Sequence, residues 1–460
     1  MKNPHFGPND SLSLRIAEWV QRIDIGQAPE PVRQALSACL LYNLTMGLAV
    51  NPGDDELGAI LATVASSPGD SRLLNGWSPR SAQDAAFINA ALITARGQND
   101  THPEVVTHIG CVVIPAVLAL ADECVSSLED VLSAILAGYE VIPRLAKGLA
   151  RQSGERGFRA TPVFGPIGAA VACARLLRLS VLETANALSI ATQYSSGTLQ
   201  TWIDGSHEWR LQVAKASRDA VSATLLARAG MQGSAGCLEG ENGFARAYSG
   251  GYPNFDFTGW RILEMAYKPY PGCAFNQGPV HALREVFRRS DVAPEKVTQI
   301  NVHLHPSDAG YPGIRAYGPF SSPAGAIMSL PFMLAATLRD GLPRTQHFNK
   351  EFDCGSLHEL CLCIRVHASD NLDRWHCSID AHFDDGTVQT QLFAPPHPFV
   401  FDWQEIQALT QRLSNEWPVN RDHGKYPALA QAVERLDNCD SYERFSSAIF
   451  CMNRSTLSPE

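Results

Sequence analysis

No run of about 18 uninterrupted apolar residues occurs in the 460-residue chain, so an ordinary membrane-spanning helix is not expected. The start, Met1-Lys2-Asn3-Pro4-His5-Phe6-Gly7-Pro8, also lacks the apolar stretch of a secretory signal, and a soluble, cytoplasmic protein is expected. Basic residues are in deficit, with 37 Lys and Arg against 47 Asp and Glu and a net charge of −10. That balance offers no general attraction for a nucleic-acid backbone or an anionic lipid surface, so neither is expected as a partner. The 12 cysteines lack the dense, regular spacing of a disulfide framework. Most sit in apolar segments such as Ala172-Cys173-Ala174 and read as buried thiols. Tandem repeats and low-complexity tracts are missing as well.

What is present is a globular composition, 45% hydrophobic and 18% charged, which excludes intrinsic disorder. Single cores stop growing at about 250–300 residues, so two domains are expected. The first half reads as helical. Leu12, Ile16, Trp19, Val20 and Ile23 recur at helical spacing after a cap at Asp10 or Ser11, and Pro31 marks the start of a second helix. Further helical patterns cover about 82–96, 112–122, 127–148, 165–178, 181–192 and 210–229. Many are Ala-rich nearly all round, which demands neighbours on every side and argues for a layered all-α domain.

After about residue 265 the texture changes. Residues 297–305 and 360–367 alternate polar and apolar, and 378–393 reads strand, Asp384-Asp385-Gly386 turn, strand. With helices at about 278–289 and 325–340 this is an α+β pattern, and helical spacing returns at 403–417 and 426–436. The expected fold is mainly α: a large helical domain over 1–266, a smaller α+β lid over 267–398, and helices over 399–460 that return to the first domain.

Gly233 to Gly243 lacks the Lys-Ser/Thr and the strand-to-helix context of a phosphate loop, and no Gly-x-Ser-x-Gly elbow is present. His303-x-His305 and Cys361-x-Cys363 place like ligands on one face of a strand without the wider set of a zinc site, so no metal is expected. The most polar interruption of an apolar region is Gly97-Gln98-Asn99-Asp100-Thr101-His102-Pro103, followed by Thr107-His108 and a helix. A carboxylate, hydroxyls and imidazoles at a helix start suit proton transfer and anion binding. The same Asp100, Thr101 and Thr107 also suit plain helix capping, and both readings stand at this point. Arg159, in Arg156-Gly157-Phe158-Arg159-Ala160-Thr161-Pro162, could hold a carboxylate or be a solvated loop charge, and the two prolines of Lys268-Pro269-Tyr270-Pro271 suit a rigidly presented Lys268 or a rigid interdomain linker alike.

These loops, taken in order with Ala137-Gly138-Tyr139-Glu140-Val141 and Phe164-Gly165 to Ala170, resemble the MmgE/PrpD family, which includes 2-methylcitrate dehydratase, cis-aconitate decarboxylase and iminodisuccinate epimerase. The resemblance implies a homodimer, a helical domain interrupted by a lid, a cleft between them, a small di- or tricarboxylate substrate and no cofactor. The chain also departs from the family pattern. Gly97 replaces the loop's first Asp, Arg159 replaces a histidine expected to move protons, and Trp209 stands where a Lys is usual, with Arg210 beside it. A guanidinium stays protonated and cannot take over that proton transfer.

The catalytic set implied by the resemblance is His108, Lys268, Asp100 and Thr101, with Tyr311 or Tyr317 from the lid. Arg159, Arg210, His102 and Gln98 are expected to bind substrate. Fixed cations would stabilise a carbanion or enediolate next to carboxylates, and a neutral His108 would move the proton. The expected activity is that of a cofactor-independent lyase, a dehydratase or decarboxylase. An isomerase acting on an α-substituted dicarboxylate and a noncatalytic carboxylate-binding homologue are the alternatives.

Overall fold

The computed structural model describes residues 11–50, 57–124, 126–289, 293–418, 423–434 and 441–450. Asp10 and the end of the last expected helical stretch, 435–436, lie outside them. The described residues are mainly helical, with a small four-stranded sheet. No described helix is long and apolar enough to cross a membrane.

The helical part centres on Gly110–Glu123, Leu128–Ala146 and Ala160–Leu176, in which nearly every residue is buried. Close approach explains the small side chains: a Cβ on Gly138 would meet Val113 Cγ1 at 2.6 Å. Around these pack Glu30–Leu48, Ala82–Thr94, Val181–Thr192 and Glu208–Arg228, and one continuous core runs from Ile16 to Ile449. Ser11, Ser81, Ser127 and Ser180 each cap a helix by accepting from an amide of its first turn. The third of the central helices starts at Ala160, five residues before the expected Gly165. Pro162 falls in its first turn, where an amide hydrogen has no intrahelical partner to lose.

The helix Trp403–Ser414 packs on Glu30–Leu48, and Trp417 Nε1 donates to Thr45 O at 3.1 Å. Buried Arg144 and Glu140 pair one turn apart on Leu128–Ala146. Arg144 also donates to the carbonyls of Asp256, Thr258 and Gly259, and Glu140 accepts from the amides of Arg261 and Ile262. This pair therefore ties down the irregular chain that leads to Lys268.

A second core holds a four-stranded sheet in the order Ile364–Ala368, Val297–Leu304, Cys377–Phe383, Val388–Phe393. The first pairing is parallel, in register Ile300 to Ile364, and the other two are antiparallel. The expected strand at 360–367 begins only at Ile364, because Gly355–Cys361 is a helix. Cys361 and Cys363 therefore do not share a strand face. His303 stacks on His367, while His305 accepts from the Ser307 amide as a helix cap, so these histidines do not act together. The expected helix at 325–340 is two helices, Pro323–Met328 and Leu330–Asp340, divided at Ser329, whose side chain caps the second. Trp202 and Trp209, from the sequence region of the helical part, pack in this second core.

Candidate active site

His108, Arg159, Lys268 and Tyr311 line one cavity of about 40 Å³, together with Asn99, Thr161, Trp202, Trp209 and Phe275. Their convergence is built by backbone pairing. Thr101 and Ala266 exchange two hydrogen bonds of 2.8 Å each, which brings the 97–102 loop against the irregular chain leading to Lys268. Arg159 N donates to Gly197 O at 3.0 Å and Leu199 N to Gly157 O at 2.8 Å, so the Arg159 loop is held beside the short helix Gln200–Asp204 that carries Trp202.

His108 is oriented by its neighbours. Its Nδ1 lies 3.1 Å from Asp100 O and 2.9 Å from Thr101 Oγ1, and the Thr101 hydroxyl donates to Asn99 O at 3.2 Å. Asp100 O can only accept, so Nδ1 carries the hydrogen and Nε2 keeps its lone pair. Burial holds the imidazole well below its ordinary range, and the charges of Lys268 and Arg159 push the same way. The ring is therefore neutral and able to accept a proton.

Lys268 Nζ donates to Gly97 O at 2.7 Å and Gly272 O at 3.2 Å, which leaves one hydrogen for a ligand. Burial lowers its pKa to about 8, with Arg159 adding to the effect. Gly97 has φ +63°, and a Cβ there would meet Ile327 Cδ1 at 3.0 Å, so the loop favours glycine where it presents its carbonyl. Arg159 Nη1 donates to Trp209 O at 2.7 Å and Gln212 Oε1 at 3.3 Å, and the guanidinium lies 5.0 Å from the centre of the Trp202 ring. Neither cation has an ion-pair partner among the described residues, in contrast to Arg144 with Glu140 and Arg72 with Asp122. Burying an unpaired charge is costly, and a bound anion would offset that cost.

Other expected site residues lie around this cavity instead of lining it. The Asp100 carboxylate accepts from Tyr139 OH at 2.5 Å and from Gly110 N at 3.1 Å, at the start of Gly110–Glu123. It serves that helix start and, through its carbonyl, His108. Burial raises its pKa to about 6 against the pull of these hydrogen bonds. Thr101 touches His108 from behind. Gln98 Nε2 donates to Lys268 O at 2.9 Å and so supports the lysine's backbone. His102 is fully buried, with Nε2 3.2 Å from Glu264 Oε2, away from the cavity. Arg210 lines a second cavity of about 310 Å³ on the far side of Trp209, where its guanidinium sits 5.2 Å from the Trp209 ring. Of the two expected tyrosines, Tyr311 lines the site and Tyr317 packs beside the second core. Burial pushes the Tyr311 hydroxyl pKa up, so it is a neutral donor.

Sequence reasoning passed over Asn99, Thr161, Trp202 and Phe275. Thr161 Oγ1 accepts from His108 N at 3.0 Å, and its place beside Arg159 in a polar loop was a usable signal. Trp202 and Phe275 gave none, since an aromatic at helical spacing reads as core.

Family models of the MmgE/PrpD N-terminal and C-terminal domains match residues 14–256 and 270–398, and the chain belongs to this family. It is similar to cis-aconitate decarboxylase of Aspergillus terreus, 26% identical over 424 residues, covering 84% of this chain and 85% of that protein. Cis-aconitate decarboxylase of Mus musculus is 26% identical over 331 residues, 67% of this chain and 66% of its own length. The enzyme of that name in Homo sapiens is 30% identical over 200 residues, 41% of this chain and 40% of its own length.

Proposed function

We propose that the chain is a lyase that acts on a small polycarboxylate, with decarboxylation as its reaction, and that the cavity beside His108 is its active site. The observation that carries this reading is a pair of buried cations, Lys268 and Arg159, without carboxylate partners among the described residues and on the same small cavity as a neutral imidazole. Relatives named as decarboxylases, matched over most of the chain, support the reaction class.

In the proposed step Lys268 and Arg159 hold substrate carboxylates. The bond to the leaving carboxylate breaks, carbon dioxide departs, and the electron pair passes into an enediolate on the carboxylate that remains. Cations fixed in advance stabilise that charge as it develops. The carbon then takes a proton from a group on the cavity wall. Lys268, with a pKa of about 8, is matched to that task near neutrality, and Tyr311 is a second donor. His108 Nε2 accepts or returns protons, held by Thr101 and the Asp100 carbonyl. Gln98 acts through Lys268, and Asp100 through its carbonyl on His108, as positioning residues.

The same reading divides the chain into a helical domain over 1–266, a lid over 267–398 and a returning segment over 399–460, assembled as a cytoplasmic homodimer without a cofactor. The two family matches support the division. Size-exclusion chromatography with light scattering tests the dimer. For the reaction, candidate acids are incubated with the protein in deuterated water and followed by NMR. Carbon dioxide release with deuterium in the product is expected. Deuterium at the α-carbon without loss of material would identify an isomerase instead, and an inert mixture would identify a noncatalytic carboxylate binder.

A further inference from the structure

The cavity walls hold two cations and, among the described lining residues, no carboxylate. Lys268 is anchored by the carbonyls of Gly97 and Gly272, and Arg159 by Trp209 O and Gln212. The remaining surface joins the uncharged polar groups of Asn99, His108 and Thr161 to an apolar side formed by Trp202, Trp209, Phe275, Tyr311, Ile327 and Met328. The two tryptophans form a tilted pair, with ring centres 5.2 Å apart at an interplanar angle of 41°; the Arg159 guanidinium lies over Trp202 and that of Arg210 over Trp209. Arg210 faces the second cavity, so its charge is divided from the site by the indole of Trp209, which lines both. Arg374, near Phe275, is already paired with Asp308 at 2.9 Å.

Two buried cations match two carboxylates. A third would be driven against the indole wall, stripped of water and left without a counter-charge, which is the costly arrangement for an ion. A methyl, methylene or other apolar substituent in that place would instead be favoured by contact with the rings. We infer that the substrate is a dicarboxylate bearing an apolar or unsaturated substituent, and that Trp202 and Trp209 set this choice by excluding a third carboxylate. The inference rests on the proposed reading of this cavity as the substrate site.

Paired acids that differ by one carboxylate test it. Methylsuccinate is compared with tricarballylate, and citraconate with cis-aconitate, by isothermal titration calorimetry on the full chain. In each pair the dicarboxylate is expected to bind at least tenfold more tightly. Trp209→Lys, which sets a cation in the wall, is expected to reverse the order. Where that variant fails to give a native circular dichroism spectrum, Trp209→Gln takes its place, and the expected gap narrows. Tricarboxylates that bind the native chain as tightly as their partners overturn the selectivity while leaving the carboxylate site standing. No binding by any of the four acids overturns the reading of the cavity, and the selectivity with it.

Discussion

Lys268 is a cation whose surroundings have weakened its hold on its proton. With a pKa of about 8, it is mostly charged at pH 7 and mostly neutral at pH 9. Dicarboxylate affinity should therefore fall as pH rises through about 8, and titration calorimetry across pH 6.5–9.5 checks this. A Kd that stays flat would remove Lys268 from binding. Lys268→Met should raise KM strongly at pH 7 and abolish that pH dependence. His108→Ala should abolish turnover while urea unfolding stays close to that of the native chain, since the ring is partly exposed to the cavity. Unchanged kcat would take His108 out of the mechanism. At this scale the sequence was informative for charged and titratable groups, because His108, Lys268 and Arg159 stand out against apolar surroundings. It was uninformative about direction. Nothing in the string tells that Arg210 falls behind an indole or that His102 turns toward Glu264, because both depend on which way a helix or loop faces in three dimensions.

Among the elements, the helix Leu128–Ala146 does more than fill the core. Gly138 lets Val113 approach, Tyr139 holds Asp100, and Glu140 holds Arg144 together with two amides of the 261–262 turn. Glu140→Ala would leave a buried guanidinium and two amides short of an acceptor. Breaking one partner of such a pair costs about 3–5 kcal/mol, which urea denaturation would detect. A loss below about 1 kcal/mol would show that the pair behaves as if exposed. Helix positions in the first half were readable because apolar spacing and Ser caps agree, as at Val181–Thr192, where the expected and observed limits coincide. Errors arose where proline or a short helix interrupts a pattern. Pro162 masked the start of Ala160–Leu176, Ser329 divided one expected helix, and Leu360 and Cys361 mimicked strand alternation inside the helix Gly355–Cys361.

For the whole molecule, the cavity draws on both cores. His108 and Arg159 come from the helical part, Tyr311 and Phe275 from the region of the sheet, and Lys268 from the chain between them. A ligand bound there should stabilise both together. At about 100 times Kd it should add about 2.7 kcal/mol to unfolding, seen in calorimetry as an upward shift of one shared transition. A shift confined to one of two transitions would count against a site shared by the two cores. The change of texture near residue 265 and the return of helix at 403 were legible in the sequence, whereas the loan of Trp202 and Trp209 to the second core was not, because their helices look continuous with their neighbours. That return also constrains how the protein is made. Trp417 closes over Thr45, 372 positions earlier, so the flank of the second helix that it covers stays open until that distant stretch has been made. Until then the nascent chain is one that a chaperone would have reason to shield.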